Sequence, residues 1–287
     1  MTTTYGTAVQ PMRSVDDLDS TRTPRVRDDA LDVSVVIPTM NEALNIAEVL
    51  KVMPPVAELI VVDSESTDGT VEAVLEQWPD AVIIRQGRNG KGAAMRAGFA
   101  AASRENIVAI DADGSMDPRE IPAFIAMFER GFDVVKGSRA ACGGGSTDLT
   151  PLRAAGNRGL CTLYNVAFRS NMSDLCYGFI GFRRRVLPSL ALYADGFEIE
   201  AQILCHAQLA GMRIAEVPSL ELDRIHGETN LRTWSDGYRV LKAILRSRFA
   251  SGREIWRFRD VERRESEALA GVPRGDRLRL AAPTLTP

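Results

Sequence analysis

Asp111, Ala112 and Asp113 put two carboxylates one residue apart, directly after the apolar run Asn106 to Ile110. Acids at the mouth of a buried strand are costly unless they face water or carry a cation. Side chains alternate along an extended chain, so within a strand the two would point apart. A chain that turns as it leaves the strand can aim both at one ion. A hard divalent cation that keeps waters and bridges phosphate oxygens, Mg²⁺ or Mn²⁺, is the natural guest of such a pair. The same residues, closed by Gly114, are equally compatible with a polar turn that merely ends a strand.

Asp63 ends a second apolar run, Glu58 to Val62, and Ser64, Ser66, Thr67 and Asp68 follow it. A carboxylate there can accept hydrogen bonds from a nucleobase or a ribose, whereas Thr67 and Asp68, just before Gly69, suit helix capping. Gly87 to Gly92 lead into the small-residue run Ala93 to Ser103, which would let backbone N–H groups and Lys91 approach a phosphate. It is not a P-loop, since Gly92 stands where the magnesium-binding Ser or Thr is required. The first strand leads into no G-x-G-x-x-G, which removes the nicotinamide fingerprint. Further charged candidates are Arg139, Asp174, Arg183, Glu198, Glu200, Arg224 and His226. Glu198 and Glu200 open an apolar helical run, where acids also favour the helix dipole, so a structural role competes with a catalytic one. His206 lies inside that run and reads as packed. His226 sits in a polar, aperiodic segment, Arg224 to Asn230, and is a candidate third metal ligand or phosphate donor.

These residues need a scaffold that gathers strand ends. From Val33 onward, short β-branched runs alternate with helical patterns: Val33 to Thr39, Glu42 to Val52, Glu58 to Asp63, Thr70 to Gln77, Ala81 to Arg85, Gly92 to Ser103, and Asn106 to Asp111. That alternation predicts βαβ units and a mostly parallel sheet with helices on both faces, whose ligands bind beyond the carboxyl ends of the strands. Cys142 to Asp148 is too glycine-rich for strand or helix and reads as a mobile loop. A helix is expected over Leu152 to Phe168, a strand over Cys176 to Phe182, a helix over Glu198 to Ala210, a strand over Arg213 to Val217 and a helix over Trp234 to Phe249.

With 287 residues, 45% hydrophobic and 25% charged, the chain has the make-up of a globular protein with one main domain. A formal net charge of -3 argues against a sequence-blind grip on nucleic acid. Four cysteines without C-x-x-C spacing fit reduced thiols in a cytoplasm. Residues 1–30 lack an apolar signal core and read as a disordered leader, 31–250 as the catalytic domain, and 251–287 as a charged helix and loose tail. Apolar runs are strand-length, too short to span a bilayer. Aromatic residues interleaved with arginines from Trp234 to Phe258 suggest peripheral contact with the inner membrane face.

Taken together, V-V-I-P-T-M-N-E, I-V-V-D-S-E-S-T-D-G-T, G-K-G-A-A-M-R-A-G, A-I-D-A-D-G, the G-S-R of Gly137 to Arg139, S-D-L-C-Y-G-F-I-G-F-R-R, G-F-E-I-E-A-Q and R-I-H-G-E-T-N-L resemble the family 2 glycosyltransferases of the GT-A fold. The nearest branch is that of the dolichyl-phosphate mannose synthases, and the match runs from about Val33 to Leu245. The resemblance implies a single α/β domain with a nucleotide-sugar donor and a Mg²⁺ or Mn²⁺ cofactor. It places Pro38, Glu42 and Asp63 in the nucleotide pocket, Lys91 beside it, Asp111 and Asp113 on the metal, and Arg139 and Arg224 on phosphates. An acceptor phosphate, as on a polyprenyl phosphate, needs no general base; a hydroxyl on a small molecule would need one, from Asp174, Glu198 or Glu200. Asn230 stands where that branch usually has a lysine, and Ser115 where it often has a glutamine.

These departures leave donor and acceptor open. The D-x-D with a late histidine is also similar to the glucosyl-3-phosphoglycerate synthases, which use UDP-glucose. A nucleotidyltransferase would need a glycine-rich, basic loop after the first strand, where Pro38 to Glu42 stand instead. A nucleotide-binding module without activity would lack the paired acids.

Overall fold

The computed structural model describes residues 29–87, 89–227 and 233–249. The leader apart from its last two residues, the tail, and Asn230 lie outside them. Strands β1 (Leu31–Thr39), β2 (Val56–Asp63), β3 (Val82–Arg85) and β4 (Asn106–Ala109) alternate with helices α1 (Ala43–Lys51), α2 (Thr70–Gln77) and α3 (Lys91–Ala101). Then come α4 (Ile121–Glu129), β5 (Val134–Ser138), β6 (Gly145–Ser146), α5 (Pro151–Phe168), β7 (Ile180–Arg183), α6 (Leu187–Leu190), α7 (Ile199–Leu209), β8 (Ile214–Pro218), β9 (Leu220–Glu221) and α8 (Thr233–Phe249). Seven strands form one sheet in the order β3-β2-β1-β4-β7-β5-β8. Only β7 runs against the others, so the expected mostly parallel α/β sheet is present.

Alternation along the strands builds two cores. Val33, Val35 and Ile37 of β1 face one layer with Ile46, Val49, Val74, Phe124 and Phe128 of α1, α2 and α4. Val36 faces the other, with Phe99, Tyr164, Leu204 and Ile244 of α3, α5, α7 and α8. Because β1, β2, β4, β5 and β8 are parallel, their carboxyl ends share one rim, where Thr39 lies beside Asp63. The reversed β7 brings its beginning, not its end, to that rim.

Two expectations are corrected. Gly145 and Ser146 form β6, pairing in parallel with β9, because the Glu221 carboxylate accepts the Ser146 hydroxyl proton and ties the two segments. The expected strand over Cys176 to Phe182 starts only at Ile180. Its first residues bend instead around Asp174, whose carboxylate accepts from the Cys176 N–H at 3.1 Å.

Candidate functional site

The rim opens into a cavity of about 180 Å³ whose wall includes Lys91, Asp111, Asp113, Arg139, Glu200 and Arg224. Lys91 begins α3, and its ammonium lies 2.7 Å from Asp111 Oδ1 and 2.8 Å from Glu200 Oε1. One cation is thus shared by two acids. Burial alone would pull the Lys91 ammonium down, but Asp111 and Glu200 together hold it above the ordinary lysine value. Burial and the nearby Asp111 charge push Glu200 up, with Lys91 opposing. Gly178, just ahead of β7, makes room for this group: a Cβ there would come within 2.6 Å of Asp111 Oδ2 and 2.8 Å of Lys91 Nζ.

The expectation that α3 offers backbone N–H groups to a phosphate does not hold. The Asp195 carbonyl accepts from the Gly92 N–H at 2.8 Å and the Ala93 N–H at 3.4 Å, and the Gly90 carbonyl takes the Ala94 N–H. Lys91 alone faces the cavity from that element.

Asp113 turns the other way. Its Oδ1 accepts from the Ser115 N–H at 3.0 Å and the Ser115 hydroxyl at 2.7 Å, and its Oδ2 faces Arg224 Nη1 at 3.5 Å. Arg224 also reaches Glu42, Nη2 lying 2.5 Å from both carboxylate oxygens. The segment bearing Arg224 lies along the acidic turn: Leu222 N–H donates to the Ser115 carbonyl and Ile225 N–H to the Asp113 carbonyl. Ile225 packs so closely on Gly114, at φ +81°, that a Cβ there would sit 2.4 Å from its side chain.

The two carboxylates of one turn, each about a quarter exposed at the cavity wall, fit a hard cation that completes its shell with waters and phosphate oxygens. Among the described residues no cluster of three or more His, Cys, Asp or Glu could hold a metal by itself. His226 is exposed, and its backbone, not its ring, is what holds the segment: its N–H donates to Asn45 Oδ1, and its carbonyl accepts from Asn45 and from Arg224 Nε.

Other residues singled out in the sequence stand outside the cavity wall. Asp174 is fully buried and paired with Arg139, Nε to Oδ2 at 2.7 Å and Nη2 to Oδ1 at 2.9 Å. Burial alone would raise its carboxyl, yet the Arg139 bonds and the Lys136 charge hold it below the usual value. Arg139 is clamped from its other side by Glu221 at 3.1 Å, so its donors are spent on protein acids. Asp63, 2% exposed, accepts from the Ser66 N–H, and Asp68 caps two helices by accepting from the Ala43 and Thr70 N–H groups. Pro38 is half-buried in β1. Glu198 is half-buried, with Oε2 unbonded among the described residues, while His206 is packed against the Leu190 carbonyl.

Reasoning from the sequence missed the support of this site. Lys136, in an apolar strand and wholly buried, donates to the Tyr177 carbonyl at 2.6 Å and the Gly137 carbonyl at 2.9 Å. Burial pulls its ammonium below the ordinary value. Asn157 Oδ1 accepts from the Leu175 and Cys176 N–H groups and fixes the same turn. The cavity wall also takes Leu149, Leu152 and Leu160 on the α5 side and Val240 of α8, interleaved with Asp148, Arg153, Asn157 and Asp236, with open space at Gly156 and Gly237. The period-2 stretch Ser219 to Asp223 announces a strand, but its alternation would bury Leu220 and Leu222, whereas the structure buries Ser219 and Glu221 and exposes the leucines, so the pattern pointed away from Glu221.

Paired acids, a lysine and arginines thus meet in one cavity beyond the strand ends of the sheet. Residues 34–190 match glycosyl transferase family 2, and the chain belongs to that family. It is similar to a dolichol-phosphate mannosyltransferase of Pyrococcus furiosus, 31% identical over 212 residues, which are 70% of this chain and 60% of that one. The chain therefore spans less than two thirds of that relative. A dolichyl-phosphate hexose transferase of Haloferax volcanii is 29% identical over 75% of this chain and 93% of its own length. In fold, the chain is similar to glucosyl-3-phosphoglycerate synthase from Mycobacterium tuberculosis, crystallised with Mn²⁺, uridine diphosphate and phosphoglyceric acid. That likeness has a TM-score of 0.59 at 23% identity and covers 76% of this chain and 79% of the other.

Proposed function

We propose that this chain moves a hexose from a nucleoside-diphosphate donor to a phosphate carried on a polyprenyl chain. The carrying observation is a cavity whose wall combines Asp111, Asp113, Lys91 and Arg224 with the apolar side chains of Leu149, Leu152, Leu160 and Val240. Asp111 and Asp113 would hold Mg²⁺ or Mn²⁺ against the diphosphate, and the cation would neutralise charge that builds on the departing nucleotide. Lys91 and Arg224 add fixed positive charge where that leaving group develops. An acceptor phosphate is already ionised. Of the three base candidates, Asp174 is bound by Arg139 and Glu200 by Lys91, while Glu198, whose Oε2 is unbonded among the described residues, stands outside the cavity wall. The names of the two sequence relatives support the lipid acceptor. Peripheral membrane contact belongs to the same reading, through the outer face of α8.

A soluble phosphorylated acceptor is the second reading, supported by the phosphoglyceric acid bound to the structural relative. The test is a thermal-shift panel of UDP, GDP, dTDP, ADP and CDP with and without Mn²⁺, followed by transfer assays from the matching nucleotide sugar to a short polyprenyl phosphate or to 3-phosphoglycerate. Stabilisation of about 2.7 kcal/mol at a hundredfold excess over Kd, dependent on metal and lost in Asp113→Ala, is expected for one diphosphate. A flat panel would refute the donor site, and transfer to phosphoglycerate alone would replace the lipid acceptor by the soluble one.

A further inference from the structure

Arg224 is held at three points, by Glu42, by Asp113 and by the His226 carbonyl. One of them, Asp113, is an acid that the donor reading gives to the metal. Asp113 Oδ1 is spent on Ser115, so Oδ2 is the oxygen left for a cation, and that is the oxygen the guanidinium faces. Asp111 is likewise engaged by Lys91. Four carboxylates, Glu42, Asp111, Asp113 and Glu200, are balanced by two protein cations. The surplus of acid attracts a divalent ion, while the guanidinium beside Asp113 repels it.

We propose that Arg224 is an exchangeable counter-ion: parked between Glu42 and Asp113 it weakens metal binding, and a diphosphate that takes over its N–H groups frees Asp113 for the cation. The guanidinium fork matches phosphate oxygens as well as carboxylate oxygens, so the exchange keeps its hydrogen bonds. Glu42, itself fixed by Asn45 Nδ2 at 2.6 Å, is the holding site that makes the exchange reversible. Metal and diphosphate then bind with positive coupling, and the coupling is reciprocal. Arg224 is here a positioning residue for the cation, which the donor-site reading above presupposes.

The test titrates Mn²⁺ into the full chain, reading free Mn²⁺ by electron paramagnetic resonance, with and without the diphosphate that gives the largest thermal shift. In the wild type, diphosphate is expected to tighten Mn²⁺ binding by a factor within the roughly 5- to 150-fold span of coupled sites. In Arg224→Gln, Mn²⁺ alone should bind several-fold tighter than in the wild type, and the tightening by diphosphate should shrink. In Glu42→Gln, which leaves Arg224 to Asp113, Mn²⁺ alone should bind more weakly. Unchanged Mn²⁺ affinity in either folded variant, or diphosphate tightening that is unaltered in Arg224→Gln, overturns the exchange while leaving the donor site standing. A wild type that binds no Mn²⁺ with any of the five diphosphates overturns both.

Discussion

At the scale of single residues, the site separates side chains that face a ligand from those that hold the first kind still. Lys91, Asp111, Asp113 and Arg224 border the cavity, while Asp174 and Lys136 are wholly buried behind it. Removing one partner of a buried pair leaves an uncompensated charge, so Asp174→Asn should cost roughly 3–5 kcal/mol in denaturant unfolding. Its pH signature is specific. Because the folded carboxyl is held below its ordinary value of 3.8, its contribution is complete above that value and is lost as the pH falls through the folded one. Wild-type stability should therefore fall more steeply with acid than that of Asp174→Asn; parallel curves would deny the pairing its role. The paired acids were visible in the sequence, where a metal site and a plain polar turn fitted them equally well; the structure places both at the cavity wall. Arg139 was legible as important but not as occupied, because Asp174 and Glu221 reach it from 35 and 82 residues away. No local spacing encodes such a meeting.

At the scale of elements, the turn ahead of β7 presses directly on the site. Gly178→Ala would press on Asp111, Lys91 and Met116, all through the ends of flexible side chains. The fold should yield at the low end of the ~1–3 kcal/mol that overpacking costs. Transfer activity should fall much further, by about 10²-fold if the Lys91–Asp111 pair moves by an ångström. Melting curves beside rates test this, and a loss of activity no larger than the loss of stability would count against it. Most elements of the sheet were legible, because β-branched runs and helical periods alternate cleanly up to Asp111. Helix α4 was not. Its sequence, Ile-Pro-Ala-Phe-Ile-Ala-Met-Phe-Glu, is apolar nearly all round and carries a proline in its first turn, so no period marks its inner face. The reversal of β7 was equally hidden, since strand direction depends on the path of α5, which a single sequence does not record.

At the scale of the whole molecule, α8 joins the site to the surface. Its inner face gives Val240 to the cavity wall, while Trp234, Tyr238 and Phe249 on the outside are 77%, 66% and 75% exposed. Leu245 continues that outer stripe, and Arg239 and Lys242 flank it. Such a face suits an anionic bilayer, which would bring a lipid phosphate to the cavity. Co-sedimentation of the full chain with phosphatidylglycerol vesicles is expected, weakened in Trp234→Ser/Phe249→Ser; binding equal in the double variant would clear α8 of that part. Among the described residues no helix is long and apolar enough to cross a membrane.

The seven-stranded sheet lined by two separate cores also sets two clocks in the molecule. Amides of Val35 to Ile37 lie in the middle of the sheet with a helical layer over each face, so they should exchange with deuterium only when the whole domain opens. Leu222 to Gly227, anchored by a few hydrogen bonds and largely exposed, should exchange orders of magnitude sooner. Bound nucleotide and metal would then slow the second clock well before they touch the first, so deuterium uptake in that one segment can report occupancy in a chain whose global stability has barely changed.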